Sequence, residues 1–171
     1  MAGKGTGAGG PSGARLDAHI LIIEARYHAA IADLMAAGAI AVLAAHGCTF
    51  ERIAVPGALE IPQVLAAAIE AGRFDDDEQP GGTAFEGALA LGCVIRGDTY
   101  HFEIVCNEAN GWLMEAAMGY GVPVGNAILT VDTEAQAIER AEGGDKGKGG
   151  DAARACLRLI EVRRALAEGA A

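Results

Sequence analysis

With 171 residues and a formal net charge of -10, the chain is long enough to enclose one hydrophobic core and too acidic to attract a polyanion. Hydrophobic residues make up 51% but aromatics only 5%, so the core has to be assembled from Ala, Val, Leu and Ile. This balance argues against nucleic acid and anionic membrane as partners, and it leaves any phosphate-bearing ligand to a few local cations and backbone amides.

The chain opens with a Gly-, Ala- and Ser-rich run that lacks the apolar centre of a secretory signal. It reads as a flexible tail over residues 1–17, ahead of a single domain over 18–168. No stretch supplies the roughly 20 apolar residues needed to span a bilayer, so the expectation is a cytoplasmic protein. Cys48, Cys93, Cys106 and Cys156 are far apart and form no Cys-x-x-Cys pair, which points to reduced core thiols and no metal site.

Ile20-Leu21-Ile22-Ile23 is a continuous apolar run, as expected of a strand buried on both faces of a parallel sheet. Ile31 to His46 follows as a helix, with Leu34, Met35, Gly38, Val42 and Ala45 on one stripe and a stop at Gly47. Phe50 to Val55 is a second strand and Ile61 to Ala71 a second helix, with Pro62 in its first turn. Residues 72–86 then turn acidic and Gly-rich around Asp75-Asp76-Asp77-Glu78, a solvated surface excursion; a metal loop needs a defined ligand geometry that such a run does not specify. Ala88 to Ile95 is the third strand, Phe102 to Met118 the third helix and Val122 to Thr130 the fourth strand. Thr133 caps a short helix ending at Ala141, and a Gly- and Lys-rich loop leads to a last helix over 151–168. Strict alternation of strand and helix predicts an α/β fold: a three-layer α/β/α sandwich around a four-stranded parallel sheet with helices on both faces, whose ligands sit beyond the carboxyl ends of the strands.

Four segments stand at those ends: Arg26-Tyr27-His28, Val55 to Glu60, Arg96 to His101, and Asp132 onward. In the third, Arg96-Gly97-Asp98-Thr99 combines a Gly turn, a hydroxyl and amides at a helix N-terminus, which together can hold an anion. His101 lies beside it and can transfer protons near neutral pH; the alternative is a capping or core histidine, and the neighbouring anion pocket favours the chemical role. His19 and His46 lack such company and are read as surface residues. Arg140 and Lys148 flank a Gly-rich stretch, either as an anion grip or as exposed helix-end cations. Tyr27 can stack on a planar heterocycle or simply pack.

Three blocks then become specific together: Val-Pro-Gly-Ala-Leu-Glu-Ile-Pro (55–62), Leu-Gly-Cys-Val-Ile-Arg-Gly-Asp-Thr-Tyr-His-Phe-Glu-Ile-Val-Cys-Asn-Glu (91–108) and Leu-Thr-Val-Asp-Thr-Glu-Ala-Gln-Ala-Ile-Glu-Arg-Ala (129–141). They resemble the signatures of the lumazine synthase family, in order, from Ala18 to Val162. The resemblance implies a flavodoxin-like domain that assembles into pentamers, with active sites between neighbouring subunits. The short connection from Arg140 to Lys148 is similar to that of members forming shells of twelve pentamers, and some members associate with riboflavin synthase. The implied reaction condenses two small-molecule substrates, 5-amino-6-(D-ribitylamino)uracil and 3,4-dihydroxy-2-butanone 4-phosphate, into 6,7-dimethyl-8-ribityllumazine with no metal or organic cofactor.

By matching position, the resemblance assigns Tyr27 to stacking on the pyrimidine, Ala58, Leu59 and Glu60 to the ribityl chain and ring edge, and Cys93, Val94 and Ile95 to the floor. Asp98, Thr99 and Arg140 would hold the phosphate, and His101 would transfer protons. Lys148 and Asp151 would support the site from the C-terminal region, His28 and Arg96 from beside it, and Asn126 would come from across the subunit boundary. The chain departs from the family pattern at four positions: Leu59 and Asn126 stand where an aromatic is usual, His28 where asparagine is frequent, and Asp98 where a small residue is commoner. A carboxylate repels phosphate, so the backbone amide of Asp98 would have to do the binding. Two other classes compete with this reading: a flavin- or lumazine-binding protein without catalysis, for which His101 and Arg140 are superfluous, and a monomeric flavodoxin-like signalling module.

Overall fold

A computed structural model describes residues 10–75 and 83–169. It contains β1 (His19–Ala25), α1 (Ala29–Ala45), β2 (Thr49–Val55), α2 (Ile61–Glu70), β3 (Gly87–Ile95), α3 (His101–Tyr120), β4 (Val124–Val131), α4 (Glu134–Ala141) and α5 (Lys148–Ala167). Short 3-10 turns at Ala58–Glu60 and Gly144–Lys146 precede α2 and α5. All strand pairs are parallel, in the order β2-β1-β3-β4, so the expected sheet and alternation are observed.

Alternate residues of the strands feed the two faces, because successive side chains of a strand point opposite ways. Ile20, Ile22, Leu89, Leu91 and Leu129 pack on Met35, Leu43, Ala137, Cys156 and Leu157 of α1, α4 and α5. Leu21, Ile23, Ala88, Ala90 and Val124 pack on Ile61, Leu65, Ala109 and Leu113 of α2 and α3. These are the three expected layers. Within α1 the buried stripe is Ile31, Met35, Gly38 and Val42 together with Ala32, Ala36, Ala39 and Leu43; Leu34 and Ala45, expected to face inward, lie on the exposed side. The apolar surface of α1 runs nearly all round, so spacing alone does not say which stripe faces the sheet.

Several local expectations need correction. α5 begins at Lys148, not Asp151, because Gly149 and Gly150 form a buried first turn wedged against the Met35 and Asp145 carbonyl oxygens, where any Cβ would overlap backbone. The N-terminal tail is tied down before residue 17: Ser12 donates from its N–H and its hydroxyl to Glu161, and the Leu16 N–H donates to the His46 carbonyl. The acidic excursion is narrower than 72–86, since Ala84 and Phe85 are buried and Glu86 receives a bidentate bond from Arg164; its run 76–82 lies outside the described residues. His19 is a packed side chain, stacked on Phe85 at 5.0 Å between ring centroids and bonded to the Thr49 hydroxyl at 2.7 Å. Thr133 caps α4 as expected, its hydroxyl accepting from the Gln136 N–H. Among the described residues, no helix is long and apolar enough to cross a membrane.

Gly125 of β4 lies against the Ala152 carbonyl of α5, with no room for a methyl group. Replacing Gly125 with Ala is expected to destabilise the fold by about 1–3 kcal/mol through overpacking, read as a lower urea midpoint at unchanged slope.

Candidate active site

The sheet order places β1 beside β3, while the chain leaves β1 toward β2, so the loops after β1, β2 and β3 splay apart at their carboxyl ends and leave a crevice. A cavity of about 410 Å³ occupies it, in the size range of small-molecule sites. Tyr27 and His28 form one wall, Pro56 to Glu60 a second, Cys93 to Ile95 the floor, and Gly97, Thr99, His101, Phe102 and Val105 the third side. Of the residues singled out in the sequence, this one cavity gathers Tyr27, His28, Ala58, Leu59, Glu60, Cys93, Val94, Ile95, Thr99 and His101. Pro56, Gly57, Phe102 and Val105 line the cavity without having been singled out in the sequence; for Phe102 and Val105 the available signal is their place in the first turns of α3.

Local structure explains why these side chains point inward. His101 is the first residue of α3, where backbone N–H groups are left without intrahelical partners and favour negative charge. The Glu60 carboxylate accepts from the Gly57 N–H at 2.8 Å, which clamps the Ala58–Glu60 turn and leaves its second oxygen available to a ligand. The Arg26 N–H donates to the Val55 carbonyl, tying the first two walls together.

The expected role of Arg96 in an anion pocket is not what the side chain does in the single chain. Its guanidinium is taken up by two carboxylates, Glu103 in a very close contact and Asp132 at 2.9 Å, and lies 4.2 Å from the Phe102 ring centroid. That pairing holds Glu103 below the usual carboxylate range. Arg96 therefore shapes the β3–α3 loop, and Asp98 is exposed beside it and does not line the cavity.

Four further residues are not brought to the cavity by their own chain. Asn126, on the edge strand β4, is exposed and donates to the Asn110 side chain at 2.7 Å while accepting from the Ile128 N–H. Arg140 is exposed at the end of α4 and, among the described residues, bonds only the Gln136 carbonyl. Lys148 pairs with Asp151 at 2.7 Å, and Asp151 also takes Arg154; these two bonds offset burial and lower the Asp151 pKa. Among the described residues, no group of three or more His, Cys, Asp or Glu is arranged to hold a metal ion.

All four cysteines are free; Cys48, Cys93 and Cys156 are buried and Cys106 is half-buried. Burial pushes the Cys93 thiol up to about 11 and Cys156 up to about 12, against 9.0 for an ordinary thiol. The cavity floor is thus a neutral thiol at physiological pH. A folded-state value above the unfolded one means the native state keeps the proton longer, so this contribution is complete below pH 9.0 and is lost as pH rises toward about 11. Cys93 is expected to resist alkylation at pH 8 in the native protein, and the melting temperature to fall between pH 9.0 and about 11; replacing Cys93 with Ala should reduce that alkaline fall.

Comparison with known proteins agrees with this architecture. Residues 17–164 match the family model described as 6,7-dimethyl-8-ribityllumazine synthase. A protein of Azorhizobium caulinodans with that name is 50% identical over 162 residues, covering 94% of both chains. Its namesake in Xanthobacter autotrophicus is 51% identical over 149 residues, 87% of each chain, and that of Agrobacterium fabrum 47% identical over 148 residues, 86% of this chain and 96% of the relative. With a family model spanning most of its length and relatives at this identity end to end, the chain belongs to the 6,7-dimethyl-8-ribityllumazine synthase family.

Proposed function

We propose that the crevice beyond β1, β2 and β3 is where this chain, a transferase, condenses 5-amino-6-(D-ribitylamino)uracil with 3,4-dihydroxy-2-butanone 4-phosphate to 6,7-dimethyl-8-ribityllumazine, releasing phosphate and water. The observation that carries this reading is the convergence on one cavity of ten residues singled out in the sequence, from the loops after β1, β2 and β3 and from the end of β3 itself. Tyr27 covers the pyrimidine ring, Glu60 and the Ala58-Leu59 backbone bind its edge and the ribityl chain, and Cys93 to Ile95 form the apolar floor. An amine of the uracil attacks the ketone to give an imine with loss of one water, phosphate departs, and the ring closes with loss of a second water. Both reactants are already reactive, so holding them in contact away from water supplies much of the acceleration. His101 relays the protons.

The phosphate end of the site needs a cation, and among the described residues no Lys or Arg lines the cavity. Arg140 has the right character: among the described residues its guanidinium bonds only a neutral carbonyl, whereas Arg96 and Lys148 are engaged by carboxylates. A site in which Arg140, Asn126 and the Lys148–Asp151 pair of one copy approach the cavity of the next accounts for their distance from it in the single chain. Asn126 offers amide bonding where a ring would stack, so grip on the heterocycle falls mainly to Tyr27. The outer face of α3 supports assembly: Trp112, Met118 and Tyr120 are exposed by more than half, and Trp112 and Tyr120 line an apolar groove with Leu59 and Pro62. The assembly is a pentamer, or twelve pentamers in a shell, acting in the cytoplasm; association with riboflavin synthase depends on the shell form.

Mixing the purified protein with both substrates is expected to generate the lumazine chromophore, and a pure binder would generate none. Replacing His101 with Ala should slow turnover by about 10²-fold, the low end of general acid–base contributions, and an unchanged kcat would remove its role. Sedimentation should report five times the 17.4-kDa chain mass or sixty times it, and a monomer would exclude a site shared between copies.

A further inference from the structure

We propose that Arg26 is a positioning residue, its guanidinium holding the Tyr27-His28 turn against the cavity by bridging β1 to α1; the proposal rests on the ligand-binding reading of that cavity. The start of α1 is otherwise weakly held. His28 occupies the cap position with no side-chain capping bond, and the first turn carries no acidic residue, so nothing usual at a helix start fixes the angle at which chain and helix meet. Tyr27 is 79% exposed, and its ring contact is an edge-on approach to His28 at 5.0 Å.

Arg26 fills that gap from both sides. Its Nη1 donates to Asp33 of α1 at 2.6 Å and reaches Glu24 of β1 at 3.5 Å, while its backbone N–H donates to Val55 at the mouth of the second wall. Among the described residues Glu24 is the one buried charged side chain, 4% exposed, and a buried carboxylate must be paired. Arg52 does this with two bonds, Nε to Oε1 at 3.1 Å and Nη2 to Oε2 at 2.9 Å. Arg26, at the longer distance, is therefore not required to neutralise Glu24, and its shorter bond goes to Asp33. The pairing also lowers the Asp33 pKa and raises that of Arg26. A lone exposed ion pair contributes little, but this guanidinium also reaches the buried Glu24 of β1, which limits its freedom.

The test uses the full-length protein and the variants Arg26→Gln, Arg26→Lys, Asp33→Asn and Tyr27→Ala. Arg26→Gln should raise the KM for the pyrimidine substrate about tenfold with kcat changed less than twofold, Asp33→Asn should act in the same direction, and Arg26→Lys should restore most of the loss. Added to Tyr27→Ala, Arg26→Gln should change KM no further, because its effect passes through that ring. Amide hydrogen exchange supplies a readout independent of activity: exchange at residues 27–31 should accelerate in Arg26→Gln and Asp33→Asn while the strands keep their protection. An unchanged KM in Arg26→Gln, additivity with Tyr27→Ala, or unaltered exchange over 27–31 would each overturn the proposal. If the wild-type protein forms no lumazine, the functional reading falls, and exchange alone then decides whether Arg26 holds the turn.

Discussion

The placement of β1 between β2 and β3 governs the rest of the molecule. A strand bonded on both edges and covered on both faces must be apolar almost throughout, which Ile20 to Ile23 satisfy. Parallel pairing also forces every connection to cross over through a helix, and the chain departs from β1 toward β2 and returns on its other side at β3. The three following loops cannot then close over one another, and the space between them is the cavity. Position and chemistry thus share a cause: Tyr27, Glu60 and His101 are far apart in sequence but emerge at the same end of adjacent strands.

Charge placement follows a consistent economy in so acidic a chain. The arginines in the loops beside the crevice are matched to carboxylates of their own chain, Arg26 with Asp33 and Arg96 with Glu103 and Asp132, and away from it Lys148 is matched to Asp151. The pairs of Arg26 and Arg96 act on geometry, joining the loops after β1 and β3 to the helices that follow them, whereas Lys148 and Asp151 pair within α5. Arg140 differs, since no carboxylate among the described residues pairs with it and its positive charge is left uncompensated. The two kinds of arginine are distinguishable only by their partners.

Sheet, layers and most of the cavity were legible in the sequence because the apolar runs, the helix signals and the loops after the strands each follow from short-range rules. What escaped depends on long-range contact. Nothing in the spacing of α1 shows that Leu34 faces out and Ala39 in, because its apolar residues surround the helix. The early start of α5 was hidden because Gly149-Gly150 reads as a breaker until the carbonyls of Met35 and Asp145 are seen to leave room for nothing else. Glu24 was overlooked at the end of an apolar run, and its partner Arg52 lies on the neighbouring strand, 28 residues away. The sequence pattern of Arg96 suits an anion ligand, but Glu103 in the first turn of α3 and Asp132 after β4 lie beside it and take its guanidinium.

The aromatic poverty of the interior has a spectroscopic consequence. The single tryptophan, Trp112, lies outside both hydrophobic clusters on the outer face of α3, 57% exposed, with its indole N–H donating to Glu108 at 2.8 Å. Its emission therefore reports on whatever shields that helix from solvent, and is poorly placed to report the loss of the core, which holds no indole. Denaturation followed by fluorescence would track separation at the α3 surface, whereas circular dichroism would track collapse of the sheet, and disagreement between the two signals would measure how far contact at that surface and folding are coupled.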